Sequence, residues 1–107
     1  MTRRAAIYTR VSTSDQTCEN QLLALREVCE RSGWAVVHEY RETASGASEA
    51  RPELARARKD AARRRFDVLV VWDASRIARS LRVLLNLAHD LESLGIGLHL
   101  HQEAIDT

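Results

Sequence analysis

Ser12 follows Arg10 by two residues in the run Tyr8-Thr9-Arg10-Val11-Ser12-Thr13-Ser14-Asp15-Gln16. A hydroxyl beside a guanidinium suits attack on a phosphate: the oxygen supplies the nucleophile, and the cation offsets the charge that gathers on the phosphoryl oxygens. Three more arginines stand at comparable places. Arg51 follows a Ser/Gly-rich stretch, and Arg76 and Arg79 follow an apolar run. Three residues apart, the last two share a face if their segment is helical. The competing readings are ordinary ones: surface ion pairing for the arginines, and a helix-capping hydroxyl for Ser12. No His, Asp or Glu stands at an obvious general-base spacing to Ser12, so its activation would fall to the field of the arginines.

The elements that must position these groups alternate between two periodicities. Ala5 to Val11 reads as an apolar strand. Thr13 and Gln16 have capping-box spacing, and the helix after them carries Cys18, Leu22, Leu25, Val28 and Cys29 on one face before Ser32-Gly33 stops it. Trp34 to Tyr40 is a second strand and residues 43–50 a loop. Pro52 suits the first turn of a helix that runs to about Arg65, with Arg58, Lys59, Arg63 and Arg64 as a solvated face. Residues 67–72 form a continuous apolar run, as expected of a strand covered on both sides. Ser80 can cap a third helix with an apolar stripe of Leu81, Leu84, Leu85, Ala88 and Leu91; Gly95 ends it, and Ile96 to Leu100 is a fourth strand. This alternation implies an α/β fold: a mostly parallel sheet of four to five strands with helices on both faces. In such sheets ligands bind beyond the carboxyl ends of the strands, and a helix amino terminus there favours an anion.

At 107 residues the chain is the size of one domain. Sixteen Lys and Arg against 15 Asp and Glu leave a formal charge of +1. A domain that gripped nucleic acid by its own electrostatics would be far more basic. Lys59 is the only lysine, and Arg is the residue for bidentate phosphate contacts, although genome composition also favours it. Cys18 and Cys29 lie about 16 Å apart along a helix, too far to bridge, and read as reduced packing residues. His99 and His101 share a strand face but lack a third ligand at telling spacing, so they read as edge-strand histidines rather than a metal pair. Trp34 and Trp72 read as packing residues. The basic amino terminus is followed by too short an apolar segment for a signal or membrane span, which points to the cytoplasm. No P-loop, dinucleotide fingerprint or Cys/His metal motif is present, and no cofactor or metal is expected.

Taken together, these residues resemble the catalytic domain of the serine recombinases of the resolvase/invertase family. The resemblance rests on Tyr8-Thr9-Arg10-Val11-Ser12-Thr13, Asp15-Gln16 and Gln21, Ala44-Ser45-Gly46 with Arg51-Pro52, Ser75-Arg76-Ile77-Ala78-Arg79-Ser80, and Gly95-Ile96 with Ile105-Asp106-Thr107. It implies a resolvase-like core in which Ser12 attacks a DNA phosphodiester and leaves a 5′-phosphoseryl link. Arg10, Arg51, Arg76 and Arg79 would hold the scissile phosphate, while Tyr8, Gln16 and Gln21 shape the site. It also implies double-stranded DNA as partner and a homodimer that pairs into a tetramer on DNA.

Two departures stand out. Ser75 lies where most of the family has an aspartate, and Asp73 is the nearest carboxylate to take that part. The family also continues into a dimerisation helix and a DNA-binding domain. Residues 1–107 therefore correspond to the catalytic core only, and such a core by itself would bind DNA weakly and not recombine it. The rival from another class is a degenerate, non-catalytic core that acts as an interaction module; retention of Ser12 and the four arginines speaks against it. A flavodoxin-like receiver domain lacks its acidic pocket here.

Overall fold

The computed structural model describes residues 2–11, 18–43, 51–72, 81–102 and 105–106. In chain order they form β1 (Arg4–Val11), α1 (Cys18–Ser32), β2 (Ala35–Thr43), α2 (Pro52–Ala62), β3 (Val68–Val71), α3 (Leu81–Ser93), β4 (Gly97–Leu100) and β5 (Ile105–Asp106). The strands make one sheet in the order β2-β1-β3-β4-β5. β1 to β4 are parallel, and β5 returns antiparallel on β4.

β1 lies inside the sheet because it is apolar on both faces. Ala5, Ala6, Ile7 and Tyr8 are all fully buried. Their alternation divides the core in two. Ala6 and Tyr8 join Tyr40, Leu69, Val71, Leu98 and Leu100 under α2 and α3. Ala5 and Ile7 join Val68 and Val70 under Leu22, Leu25 and Cys29 of α1. Each aliphatic side chain buried in this way contributes about 1.5–3 kcal/mol. Arg58 and Asp90, 2.8 Å apart, tie α2 to α3 across the surface.

The three helices end alike. The residue after the turn donates back five positions: Trp34 N to Cys29 O, Arg65 N to Asp60 O and Ile96 N to Leu91 O. Such a stop needs a left-handed residue, and glycine fills it in α1 (Gly33, φ 76°) and α3 (Gly95, φ 76°). In α2 the place is held by Arg64, with φ 55°, whose carbonyl accepts a 2.7 Å bond from the Arg4 guanidinium.

Several expectations change. β2 runs on to Thr43 instead of stopping at Tyr40, because β1 extends to Val11 and Arg41, Glu42 and Thr43 pair with Thr9, Arg10 and Val11. α2 ends at Ala62 rather than near Arg65, where the left-handed turn intervenes. On α3 the buried residue is Leu87 and not Leu85, which is exposed; the stripe is Leu84, Leu87, Ala88 and Leu91. His99 and His101 are not on an edge strand, since β5 flanks β4. The rings of Trp34 and His99 meet edge to face at 5.8 Å, and those of Trp72 and His101 lie 5.2 Å apart. Among the described residues no group of His, Cys, Asp or Glu could hold a metal ion. Likewise, no described helix is long and apolar enough to cross a membrane.

Candidate active site

β1 delivers Tyr8 and Arg10 to one face of its carboxyl end, two residues apart as strand geometry requires. β2, parallel and in register, sets Glu42 beside Arg10. The third component is the start of α2, where Arg51 precedes Pro52.

Glu42 joins the three. It is only 3% exposed. Its Oε1 accepts the Tyr8 hydroxyl at 3.2 Å and the Leu54 N–H at 3.3 Å, and its Oε2 accepts the Glu53 N–H at 3.2 Å. The side chain therefore caps α2 from a neighbouring strand. The helix needs this, because Arg51 at the N-cap position makes no side-chain cap bond and Pro52 has no N–H to satisfy. A buried carboxylate is tolerated when it is so bonded, and the partial positive charge of a helix start favours it further.

The surroundings of Tyr8 report the local field. Burial drives its phenol pKa well above the usual range, and the Glu42 charge and hydrogen bond add to the rise. Arg51 and Arg10 act in the opposite direction, so both guanidiniums bear on the same spot. Tyr8 stays a neutral hydrogen-bond donor at any physiological pH and is neither a base nor a nucleophile. Arg10 Nε is buried and has no hydrogen-bond partner among the described residues. A guanidinium donor left open at the carboxyl edge of a parallel sheet can receive an anionic oxygen.

Of the residues expected from the sequence, the structure brings Tyr8, Arg10 and Arg51 together. Gln21 is buried in α1, which packs on the opposite face of the sheet from Tyr8. Ser12, Gln16, Asp73, Ser75, Arg76 and Arg79 lie outside the described residues. Glu42 is the member the sequence reading missed. The signal was a helix start whose own N-cap residue cannot cap it, which requires an acceptor from elsewhere. Cys29 is fully buried and its thiol is pushed up to about 11 by burial, which makes it a packing residue and not a nucleophile.

The fold is that of a resolvase-type catalytic domain. Superposition on the amino-terminal catalytic domain of TP901-1 integrase gives a TM-score of 0.87 at 34% identity, over 98% of this chain and 82% of that one. Residues 5–107 match the family described as "Resolvase, N terminal domain", and the chain belongs to that family. It is 44% identical over 101 residues to a probable DNA-invertase, y4cG, of Sinorhizobium fredii, covering 94% of this chain and 30% of that protein. It is 38% identical over 100 residues to the serine recombinase gin of Escherichia phage Mu, covering 94% and 48% respectively. The chain thus spans half or less of the length of these relatives.

Proposed function

We propose that this chain is the catalytic core of a site-specific DNA recombinase that cleaves and rejoins strands through a 5′-phosphoserine intermediate. The observation that carries the reading is the buried Arg10 guanidinium, two residues before Ser12 in the chain, whose Nε is left open among the described residues at the carboxyl edge of β1, with Arg51 bearing on the same place. Ser12 Oγ attacks the phosphorus, a new Oγ–P bond forms, and the P–O3′ bond breaks to leave a protonated 3′-hydroxyl. The reverse attack by an exchanged 3′-hydroxyl restores the phosphodiester. The ester keeps the bond energy, so the cycle is self-contained. Arg10, Arg51, Arg76 and Arg79 stabilise the pentavalent phosphorane charge. Tyr8, Gln16 and Gln21 shape the site, and Asp73 handles the leaving-group proton in place of the aspartate that Ser75 replaces. The full protein works in the cytoplasm as a homodimer that pairs into a tetramer on double-stranded DNA, with residues 1–107 as its catalytic part.

The test is a chimera in which this chain replaces the matching residues of the phage Mu recombinase. It is incubated with that protein's DNA site, quenched, and assayed for protein attached to a 5′ end. A covalent adduct that disappears in Ser12→Ala is the expected result. A folded chimera that binds the site and forms no adduct would instead indicate the non-catalytic interaction module.

A further inference from the structure

The near-neutral charge of the chain conceals a strong asymmetry. Six of its sixteen basic residues and one of its fifteen acidic residues fall within residues 56–65, so that segment carries a formal +5 and the rest of the chain −4. The segment borders an open cleft of about 450 Å³ between the carboxyl end of α2 and the amino half of β2. Tyr40 and Phe66 form its floor, and both are buried. Its rim carries Arg56, Lys59, Arg63 and Arg65.

These cations are not equally free. Arg56 is engaged by Glu53 at 3.1 Å, and Arg65 lies 3.8 Å from Asp60. Asp60 is also held by the Tyr40 hydroxyl at 2.5 Å. Lys59 and Arg63 are exposed and have no ion pair among the described residues. The carboxyl end of a helix carries only about half a negative charge, too little to cancel the surplus of two full positive charges. Lys59 lies about 12 Å along the α2 axis from Arg51, so the cleft is separate from the candidate active site.

We propose that this cleft binds the phosphate backbone of duplex DNA outside the cleavage site. A molecule divided into a +5 segment and a −4 remainder turns that segment toward any polyanion it approaches. DNA is the polyanion that the proposed chemistry brings within reach, and in this respect the inference rests on that reading. Guanidinium and ammonium donors on an open rim suit phosphate oxygens without reading sequence. The contact holds the domain on DNA beside the site at which strands are cut.

The experiment uses the 107-residue chain and a fluorescent 20-base-pair duplex that lacks any recombination site, titrated across a range of salt concentrations. Lys59→Gln/Arg63→Gln is compared with the parent and with Arg31→Gln, an exposed position on α1 outside the cleft, and a fluorescent polyglutamate peptide is run in parallel. Two lost phosphate contacts lower the slope of log affinity against log salt by about two. That drop is expected in the double variant alone, with amide shifts on duplex binding centred on residues 59–66 and 37–40. An unchanged slope, shifts confined to the surroundings of Tyr8 and Arg51, or tighter binding of polyglutamate than of duplex would each overturn the proposal; the last would mark a protein-docking surface. The assay needs no nucleophile. DNA binding at the cleft with no Ser12 adduct in the chimera would sink the recombinase reading alone, and a chimera adduct with an unchanged salt slope would sink the cleft alone.

Discussion

Glu42 shows how much one side chain can organise. It satisfies two N–H groups at the start of α2 and the Tyr8 hydroxyl while itself buried. Glu42→Ala removes the acceptor for all three, and leaving buried donors unmet costs about 1–3 kcal/mol each. A loss of roughly 3 kcal/mol in urea unfolding is expected, together with a fall in phosphoserine formation in the chimera as Arg51 loses its footing. Glu42→Gln keeps one acceptor oxygen and should fall between Ala and the parent. Equal stability of Glu42→Ala and the parent would show that the cap is dispensable. Tyr8, Arg10 and Arg51 were legible in the sequence because each sits next to a strand end or helix start that local pattern reveals. Glu42 was not, since its role arises only when β2 comes alongside the beginning of α2. Nothing in the polar run Arg41-Glu42-Thr43 announces that the strand continues through it.

At the scale of elements, the strands were readable because continuous apolar runs such as Val68–Val71 leave little alternative for a buried parallel sheet. Helix faces were readable with one exception on α3: Leu85 was placed on the buried stripe instead of Leu87, two positions and about 200° away around the axis. The end of α2 was misplaced because its stop signal is an arginine. Glycine marks the equivalent turns of α1 and α3, whereas Arg64 gives no such warning. A non-glycine residue in the left-handed region costs about 1–2 kcal/mol, part of which glycine returns through its freer unfolded state. Arg64→Gly should therefore raise stability by roughly 0.5–1 kcal/mol, read as a higher urea midpoint at unchanged m-value. The Arg4 bond to the backbone carbonyl of residue 64 survives that change. A lower midpoint would mean that the Arg64 side chain contributes more than its backbone conformation costs.

For the molecule as a whole, acid stability depends on carboxylates held by arginines. The Asp67 pKa is lowered chiefly by its hydrogen bond from the Arg4 side chain, and that of Glu39 by the one from Arg26. Both carboxylates are more acidic folded than unfolded, so the unfolded chain takes up protons first as pH falls. Their contribution is complete above about pH 5 and disappears as pH drops below about 4 through the depressed values. Both pairs are partly exposed, so the effect is modest and weakened by salt. Urea midpoints between pH 3 and 7 should fall more steeply for the parent than for Arg4→Gln; parallel curves would remove this pair from the account. The outer strand of the sheet raises a different matter, the behaviour of many copies at high concentration. Between Ala5 and Ala6 the pairing skips Val37, so β2 is kinked by one extra residue, and Val36 and Val37 are both exposed there. An open strand edge invites another chain to zip onto it, and exposed valines would strengthen the seam. The kink breaks that edge into a short stub and a six-residue run, His38–Thr43, that carries charged Glu39 and Arg41. A neighbour aligned with one part is out of step with the other, and so the irregularity that spoils the ladder works against edge-to-edge pairing of copies.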